Sequence, residues 1–493
     1  MIPELHLPWN VIALLLPLVG SVLMLVVSAP ERRWQTAVAV CLLTFVSTIG
    51  AAVDFTMLHA WEAHDHFDFL GDMFHTGVLV IDELNAPLLP LAALLFLAVI
   101  ASTLRKQCAD TSFSRLLFQE SMLLGLFGAR HPLAVILLST LVAVPAACEL
   151  RQRGRSVRVY LLHLGLSALM LVIGWLLLPN TVLGHPENAP GLMTVIAGTL
   201  LTLGALLRCG TAPMHCWITD LFDRADMATS LLTVLPMSGA FVVMRMVLPI
   251  APSWALQSIA LLSLITAVYA AGMSLIQTDP RRFFCYLFLS HAALVPAGLE
   301  LLNPLGLTGA LCVWISTSLA MTGLGITLRA VEARFGRLSL QQYHGLAARA
   351  PFLAVIFLVT GLAAVGFPGT IGFIGSELLI EGAVSVYPLM GTAVVVAAAL
   401  NGIAIMSAFF RIFTGLRPQA GIAMPVRRRE RIALLLLLVA ILAGGLYPQP
   451  GVVSRYHAAI ELIRHRDTDA AAGQDSLSVA STVPTPISQV NSP

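Results

Sequence analysis

The 493-residue chain is 58% hydrophobic and 11% charged, with mean hydropathy +0.87 and a formal net charge of +2. Soluble domains carry charge on roughly a quarter of their residues, so the bilayer is the natural solvent for this chain. The net charge says nothing about nucleic acid, and no basic patch interleaved with aromatics points to it, so no nucleic-acid partner is expected.

A spanning helix needs roughly 20 mostly apolar residues, and by that measure the chain holds about fourteen. They are centred near residues 18, 46, 95, 120, 140, 168, 200, 240, 266, 293, 317, 360, 400 and 438. The first has no basic leader or small-residue cleavage site and is expected to be retained. Basic residues mark alternate loops: Arg32 and Arg33; Arg105 and Lys106; Arg151, Arg153, Arg155 and Arg158; Arg281 and Arg282; Arg334, Arg337 and Arg349; and Arg417 with Arg427, Arg428, Arg429 and Arg431. The loop from His59 to Glu83 instead holds Glu62, Asp65, Asp68, Asp72, Asp82 and Glu83, with no Lys or Arg. The positive-inside rule makes the basic loops cytoplasmic and, for an even number of spans, puts both termini outside. The expected class is an all-α, multi-pass membrane protein.

Two places interrupt the apolar pattern. One is "RCGTAPMHCW", with Pro213; the other is "AAVGFPGTIGFIGSELLIEG", with Pro368 among four glycines that precede Glu377. Proline removes a helix hydrogen bond and blocks the adjacent turn. In lipid the freed backbone groups must be met by protein or water. Paired breaks in two halves of a chain are the pattern of inverted-repeat transporters, with a site near the midplane. Two ordinary proline kinks are the alternative. Seven scattered cysteines form no C-x-x-C, so no iron–sulfur or zinc site is indicated and no metal is expected. After "VVSRYHAAIELIRHR", the stretch from Asp467 is rich in Ser, Thr, Ala and Pro without apolar period, and is expected to be disordered.

Four segments carry a family resemblance. "RCGTAPMHCWITD" resembles K-x-x-x-x-P-x-H-x-W-L-P-D-A, and "QTDPRRFFCYLFLSH" resembles Q-x-D-x-K-R-x-x-A-Y-S-S-x-S-H. "YHGLAARAP" is similar to G-G-L-A-x-x-x-P, and "GFPGTIGFIGSELLI" to G-L-P-G-x-x-G-F-x-G-E. These belong to the antiporter-like subunits of respiratory complex I (the L, M and N types), with relatives in membrane-bound hydrogenases and multisubunit cation/proton antiporters. The resemblance spans roughly residues 65 to 415 in order, and M or N type similarity fits better than L type, because little apolar sequence follows residue 450. It implies about 14 transmembrane helices with two inverted five-helix repeats and two broken helices. The implied divisions are 1–110 for the N-terminal helices, 111–250 and 251–415 for the repeats, 416–450 for the last span, and 451–493 for a polar tail.

The departures from the family pattern are substantial. The lysine of its seventh helix falls on Arg208, that of its eighth on Met237, and that of its ninth-helix motif on Arg281. Its fifth-helix glutamate falls on Thr140, and an expected histidine on Thr317. The chain has a single lysine, Lys106. Guanidinium stays protonated where a buried lysine can release its proton, so the usual Glu–Lys–Lys relay cannot run here in its usual form. The candidate proton pathway is therefore Arg208, His215, His291, His163, Asp220 and Glu377, with Pro213 and Pro368 at the helix breaks. For each histidine a plain interhelical hydrogen bond is the competing role. Arg208 is expected as a fixed charge paired with a carboxylate or with carbonyls. Arg245 is expected to reach headgroups, and Asp220, Asp223 and Arg224 to form a solvated turn.

The resemblance implies a subunit of a redox-driven proton-translocating complex of the NADH–quinone oxidoreductase or membrane-bound hydrogenase type, with a degenerate relay. Such a subunit has no cofactor site of its own. It works with other membrane subunits in the lipid bilayer, and meets quinone only through them. Two other readings stand beside it: a non-conducting scaffold, and a subunit of a cation/proton antiporter or an ion-driven inorganic carbon uptake system.

Overall fold

The computed structural model describes residues 4–66, 78–178, 192–415 and 426–480. The chain is helical almost throughout. Helices α1 (Trp9–Val26) and α2 (Pro30–Leu58) are followed by a two-stranded antiparallel ribbon, β1 (Glu62–Ala63) with β2 (Ile81–Asp82). Then come α3 (Leu88–Ala101), α4 (Phe113–Gly128), α5 (Pro132–Gln152), α6 (Arg158–Leu177), α7 (Leu192–Cys209) and α8 (Cys216–Arg224). The chain continues through α9 (Met227–Val234), α10 (Ser238–Val242, extended by a π turn, Val243–Val247), α11 (Ser253–Ile276), α12 (Pro280–Gly298) and α13 (Pro304–Phe335). It closes with α14 (Pro351–Ala364), α15 (Ile371–Val386), α16 (Pro388–Phe413), α17 (Arg428–Leu446) and α18 (Gln449–Ala480).

All fourteen expected centres lie in helices. Among the described residues nine helices are long and apolar enough to cross a membrane, or ten if the bent pair α17–α18 is one span. Helices α3 and α14 are apolar but short. The bend between α17 and α18 is 77°. Helix α18 continues into the segment expected to lack a period; its "DAAAG" stretch is rich in alanine, the strongest helix former. Residues 481–493, and Arg417, Asp68 and Asp72, lie outside the described residues.

Helix starts follow local chemistry. Asp279 caps α12 by accepting from the Arg281 and Arg282 amides at 2.8 and 3.2 Å, with Pro280 at the first position. Asn303 and Pro304 open α13 in the same way. Such caps meet amides that a helix start leaves without partners.

Ion pairs gather the basic loops at one end. Glu31 pairs with Arg105 (3.3 Å) and with Arg429; Arg334 pairs with Glu430 (2.5 Å), and Arg282 with Asp223 (2.6 Å). We call this end the basic face. At the opposite end the Leu5 amide donates to the His64 carbonyl (2.9 Å), and Arg455 of α18 donates to the carbonyls of Leu84 (3.0 Å) and Glu83. Both described terminal segments therefore lie at the same end. Burial there pushes the Glu83 carboxyl up from its ordinary value.

The segment from Met227 to Val247 is the most enclosed span, wholly buried among the other helices. Small residues let its neighbours approach. A Cβ on Gly239 would lie 2.8 Å from the Cys209 amide nitrogen, so α10 rests directly on the end of α7. A Cβ on Gly309 would lie 2.3 Å from the Leu379 nitrogen, which fixes α13 against α15. Close backbone approach through small residues is how helices associate where lipid removes the hydrophobic drive.

Gly239→Val is expected to lower the unfolding midpoint of the detergent-solubilised protein, through overpacking worth about 1–3 kcal/mol. Gly272→Ala, where no heavy atom lies within 4 Å, should not lower it. Equal midpoints for the two variants would refute the close packing of α10 on α7.

Candidate functional site

Helix α7 ends at Cys209, and the chain turns through Gly210 (φ 72°) and a cis Ala212–Pro213 bond before α8 begins. Several backbone groups freed at this turn find partners. The Leu206 carbonyl accepts from the Thr211 hydroxyl (3.0 Å), and the Leu207 carbonyl from the Trp217 indole (3.0 Å). The Ala212 amide donates to the Thr266 hydroxyl (2.9 Å). Arg208, at the last turn of α7, is buried; its Nη2 donates to the Ser139 carbonyl on α5 and its Nε has no partner.

A second break lies between α9 and α10, at Leu235–Met237. Met237 takes a left-handed conformation (φ 53°). Here the freed carbonyls are met from α13: Ser318 Oγ donates to Leu235 at 2.9 Å, and Trp314 Nε1 to Pro236 at 3.1 Å. At the basic face the start of α9 is held by two carboxylates. Asp226 caps it, accepting from the Ala228 amide (3.1 Å). Glu149, at the end of α5, accepts from the Asp226 amide (2.8 Å), from the Thr229 hydroxyl, and from Arg153 (2.9 Å). One turn deeper, Thr233 donates to the Thr229 carbonyl (2.7 Å) and accepts from Gln119 Nε2 on α4 (3.0 Å). A third break, between α14 and α15, is closed by local turns such as Phe367 N to Leu362 O (3.0 Å).

Three cavities follow this central segment. A basic-face cavity of about 480 Å³ is lined by Arg115, Glu149, Asp226, Arg281, Arg329 and Glu332, among others. A mid-depth cavity of about 30 Å³ is lined by Arg208, Thr233, Met237, Ser238, Phe288 and Ala292, among others, which is room for roughly two waters. At the far end a cavity of about 200 Å³ is lined by Glu62, Asp82, Arg130, Arg245 and Glu461, among others. Between the last two, Ala240 to Met244 are buried and apolar, with Phe241 packed on Phe127 at 5.1 Å.

Each sequence-selected residue has a definite place. His291 is buried on α12, one residue before Ala292 of the mid-depth cavity, and its Nε2 has no partner. Its neighbour Ser290 donates to the Ala267 carbonyl (2.8 Å) and accepts from Asn401 (2.8 Å). His215 is half-buried at the start of α8, its ring 5.5 Å from Tyr269 and 6.0 Å from Tyr286, with Nδ1 unpartnered. His163 stands apart: its Nδ1 bonds the Val159 carbonyl of its own helix at 2.8 Å. Asp220 pairs with Arg224 at 2.8 Å within α8, so this stretch is helix and not a solvated turn. Glu377 is exposed on α15, and no described residue hydrogen-bonds or ion-pairs with it. Pro213 and Pro368 lie in the first and third breaks. Arg245 does not reach headgroups; it pairs with Asp82 of β2 at 2.5 Å, both largely buried. Met237 and Thr317 are buried.

The break at Pro236 and the roles of Glu149, Gln119, Trp314 and Ser318 were not drawn from the sequence. Pro236 with Gly239 was the available signal, together with the isolated carboxylates in "QESMLLGLFG" and "AACELRQ". Among the described residues no group of three or more His, Cys, Asp or Glu side chains could hold a metal ion.

A family model described as NADH:quinone oxidoreductase/Mrp antiporter, transmembrane, matches residues 118–401. The chain is 24% identical over 491 residues to NADH-quinone oxidoreductase subunit M of Rickettsia bellii, covering 93% of this chain and 98% of the relative. Its fold resembles a chain of respiratory complex I from Thermus thermophilus, with TM-score 0.80, 22% identity, and 93% and 99% of the two chains covered. It also resembles a chain of the Mrp complex from Dietzia sp. DQ12-45-1b, with TM-score 0.77, 17% identity and the same coverage.

Trp314→Phe keeps the ring but strands the Pro236 carbonyl in a dry interior. It should cost about 1–3 kcal/mol of stability, read as a lower unfolding midpoint. The second break should also loosen, read as faster amide exchange in residues 231–241 than in wild type. Unchanged exchange there would show that the indole does not hold the break.

Proposed function

The chain belongs to the NADH:quinone oxidoreductase/Mrp antiporter family, and from that premise we propose that it is an antiporter-like subunit of a redox-driven, proton-translocating complex in a bacterial cytoplasmic membrane. The name of its Rickettsia relative and the Thermus structure support this reading. In it the basic face is cytoplasmic, the partners are other membrane subunits, and quinone is met only through them. The fourteen-helix plan, with inverted repeats at 111–250 and 251–415, flanking helices at 1–110 and 416–450 and a tail at 451–493, belongs to the same proposal.

One observation carries it. A wholly buried, broken helix joins a charged cavity at the basic face to a water-sized cavity beside Arg208, and hydroxyl and amide side chains line the way. Polar groups so deep in a membrane protein are costly and mark ion pathways by default. Arg208, bound to a carbonyl, acts as a fixed positive charge that tunes this interior. His215 and His291 carry the titration that lysine carries elsewhere in the family. His163, Asp220 and Glu377 stand at the margins, as surface or gating groups.

The scaffold reading draws on a different observation: the outer half of the same helix is packed and apolar. The likeness to the Dietzia Mrp chain keeps a cation/proton antiporter in view.

The test uses the native assembly, co-purified on this chain and reconstituted in vesicles. His291→Ala and His215→Ala should each lower proton uptake per electron while the subunit composition stays that of wild type. If both variants pump like wild type, the chain is a scaffold. Nickel–iron hydrogenase or quinone-reductase subunits among the co-purified partners would identify the redox module.

A further inference from the structure

Glu120 lies outside the row described above, on α4, and is fully buried. One carboxyl oxygen accepts from the Cys41 thiol of α2 at 3.1 Å, and the other has no partner. Among the described residues no cation pairs with it, and Cys41 is itself fully buried. A thiol is a weak donor, and an ionised carboxylate with only that support in an apolar interior takes up a proton instead of staying charged.

Its placement connects it to the rest. The preceding residue, Gln119, donates to Thr233 on α9 and leaves its own carbonyl oxygen unpartnered. Two adjacent residues of α4 thus present oxygens without hydrogen-bond donors, and one of these residues touches the row that leads through Thr229 to Glu149 and the basic-face cavity. Glu149 itself is already engaged by an amide, a hydroxyl and Arg153, whereas Glu120 meets only the thiol. Beyond Glu120, the buried stripe of α2 continues with Thr44, Ser47, Thr48 and Asp54 toward the opposite face. Asp54 there accepts from the His6 amide (2.9 Å) and from Trp9 (2.8 Å).

We propose that Glu120 is a proton-binding site of this subunit, loaded from the basic face along Thr229, Thr233 and Gln119 with the help of water. The step is a transfer alone: an O–H bond forms on the Glu120 carboxylate as a water or hydroxyl in the row gives up its proton, and the same bond breaks on release. Glu120 thereby supplies a carboxyl in the first half of the chain, where Thr140 stands at the family's glutamate position. The proposal rests on the translocating function proposed above.

The full chain in its native assembly is compared as wild type, Glu120→Gln, Glu120→Asp and Cys41→Ala. Infrared difference spectra on exchange into deuterium oxide should show a protonated-carboxyl C=O band in wild type. Glu120→Gln should lack it, and Cys41→Ala should shift it. Proton uptake per electron should fall in Glu120→Gln and be retained at least partly in Glu120→Asp. If the band persists in Glu120→Gln, or is absent from wild type, the site is not a proton-binding one. If Glu120→Gln pumps like wild type while His291→Ala does not, Glu120 is structural and the translocating function stands without it. If neither variant affects pumping, the function itself fails and this proposal with it. Should Glu120→Gln not assemble, the Cys41→Ala band decides: an unshifted band overturns the assignment and a shifted one supports it.

Discussion

A backbone amide or carbonyl freed inside a water-poor bundle must be met by another part of the protein, and the centre of this structure is arranged around that requirement. Three helices break, and the partners that close them differ. The break after α7 uses its own threonine, a tryptophan of α8 and a hydroxyl of α11. The break after α9 depends on an indole and a serine of α13, some eighty residues later in sequence. The third closes on local turns alone. The first two are therefore tied to tertiary structure: α13 cannot move away from α9 without exposing the carbonyls of Leu235 and Pro236. A polar interior is built here by supporting broken backbone, and the side chains of Thr233, Ser238 and Arg208 then gather where the helices part.

Arginine dominates the charge economy, and the structure shows how it is tolerated. Arg208 donates to one carbonyl and Arg455 to two, while Arg245 is ion-paired with Asp82 and Arg334 with Glu430. These are fixed charges, because guanidinium does not release its proton. Removing one partner of such a buried pair leaves an uncompensated charge and is far more damaging than losing a surface pair. The same chemistry that makes these residues good braces makes them poor carriers.

The position of nearly every helix was legible in the sequence, because apolar runs of about 20 residues admit few alternatives in lipid. The breaks at Pro213 and Pro368 were equally local. What was not legible depended on residues distant in the chain. Pro236 sits in an apolar run that reads as a simple kink, and only the indole of Trp314 reveals it as a supported break. Arg245 reads as a snorkelling side chain until β2 brings Asp82 to it. Asp220 and Arg224 read as a loop, yet at four-residue spacing they fit one helical face, where they pair. Glu149 and Glu120 each read as a lone carboxylate, and their opposite surroundings could not be told apart by composition. Glu149 meets an amide, a hydroxyl and a guanidinium, whereas Glu120 meets one thiol.

The central helix is asymmetric, and this constrains any mechanism. From Asp226 to Thr233 its neighbours are carboxylates, hydroxyls and an amide; from Ala240 to Met244 they are apolar, and Phe241, Phe127 and Trp314 pack into one aromatic cluster. In the proposed function, a proton entering from the basic face would have polar partners to mid-depth and would then face the packed aromatic cluster. Onward passage would need that cluster to rearrange or a lateral exit toward α12 or α2. Trp314 belongs to both features, since its ring packs in the cluster and its N–H holds the Pro236 carbonyl. The break and the aromatic cluster thus share Trp314, while Ser318 on the same helix holds the other freed carbonyl, that of Leu235.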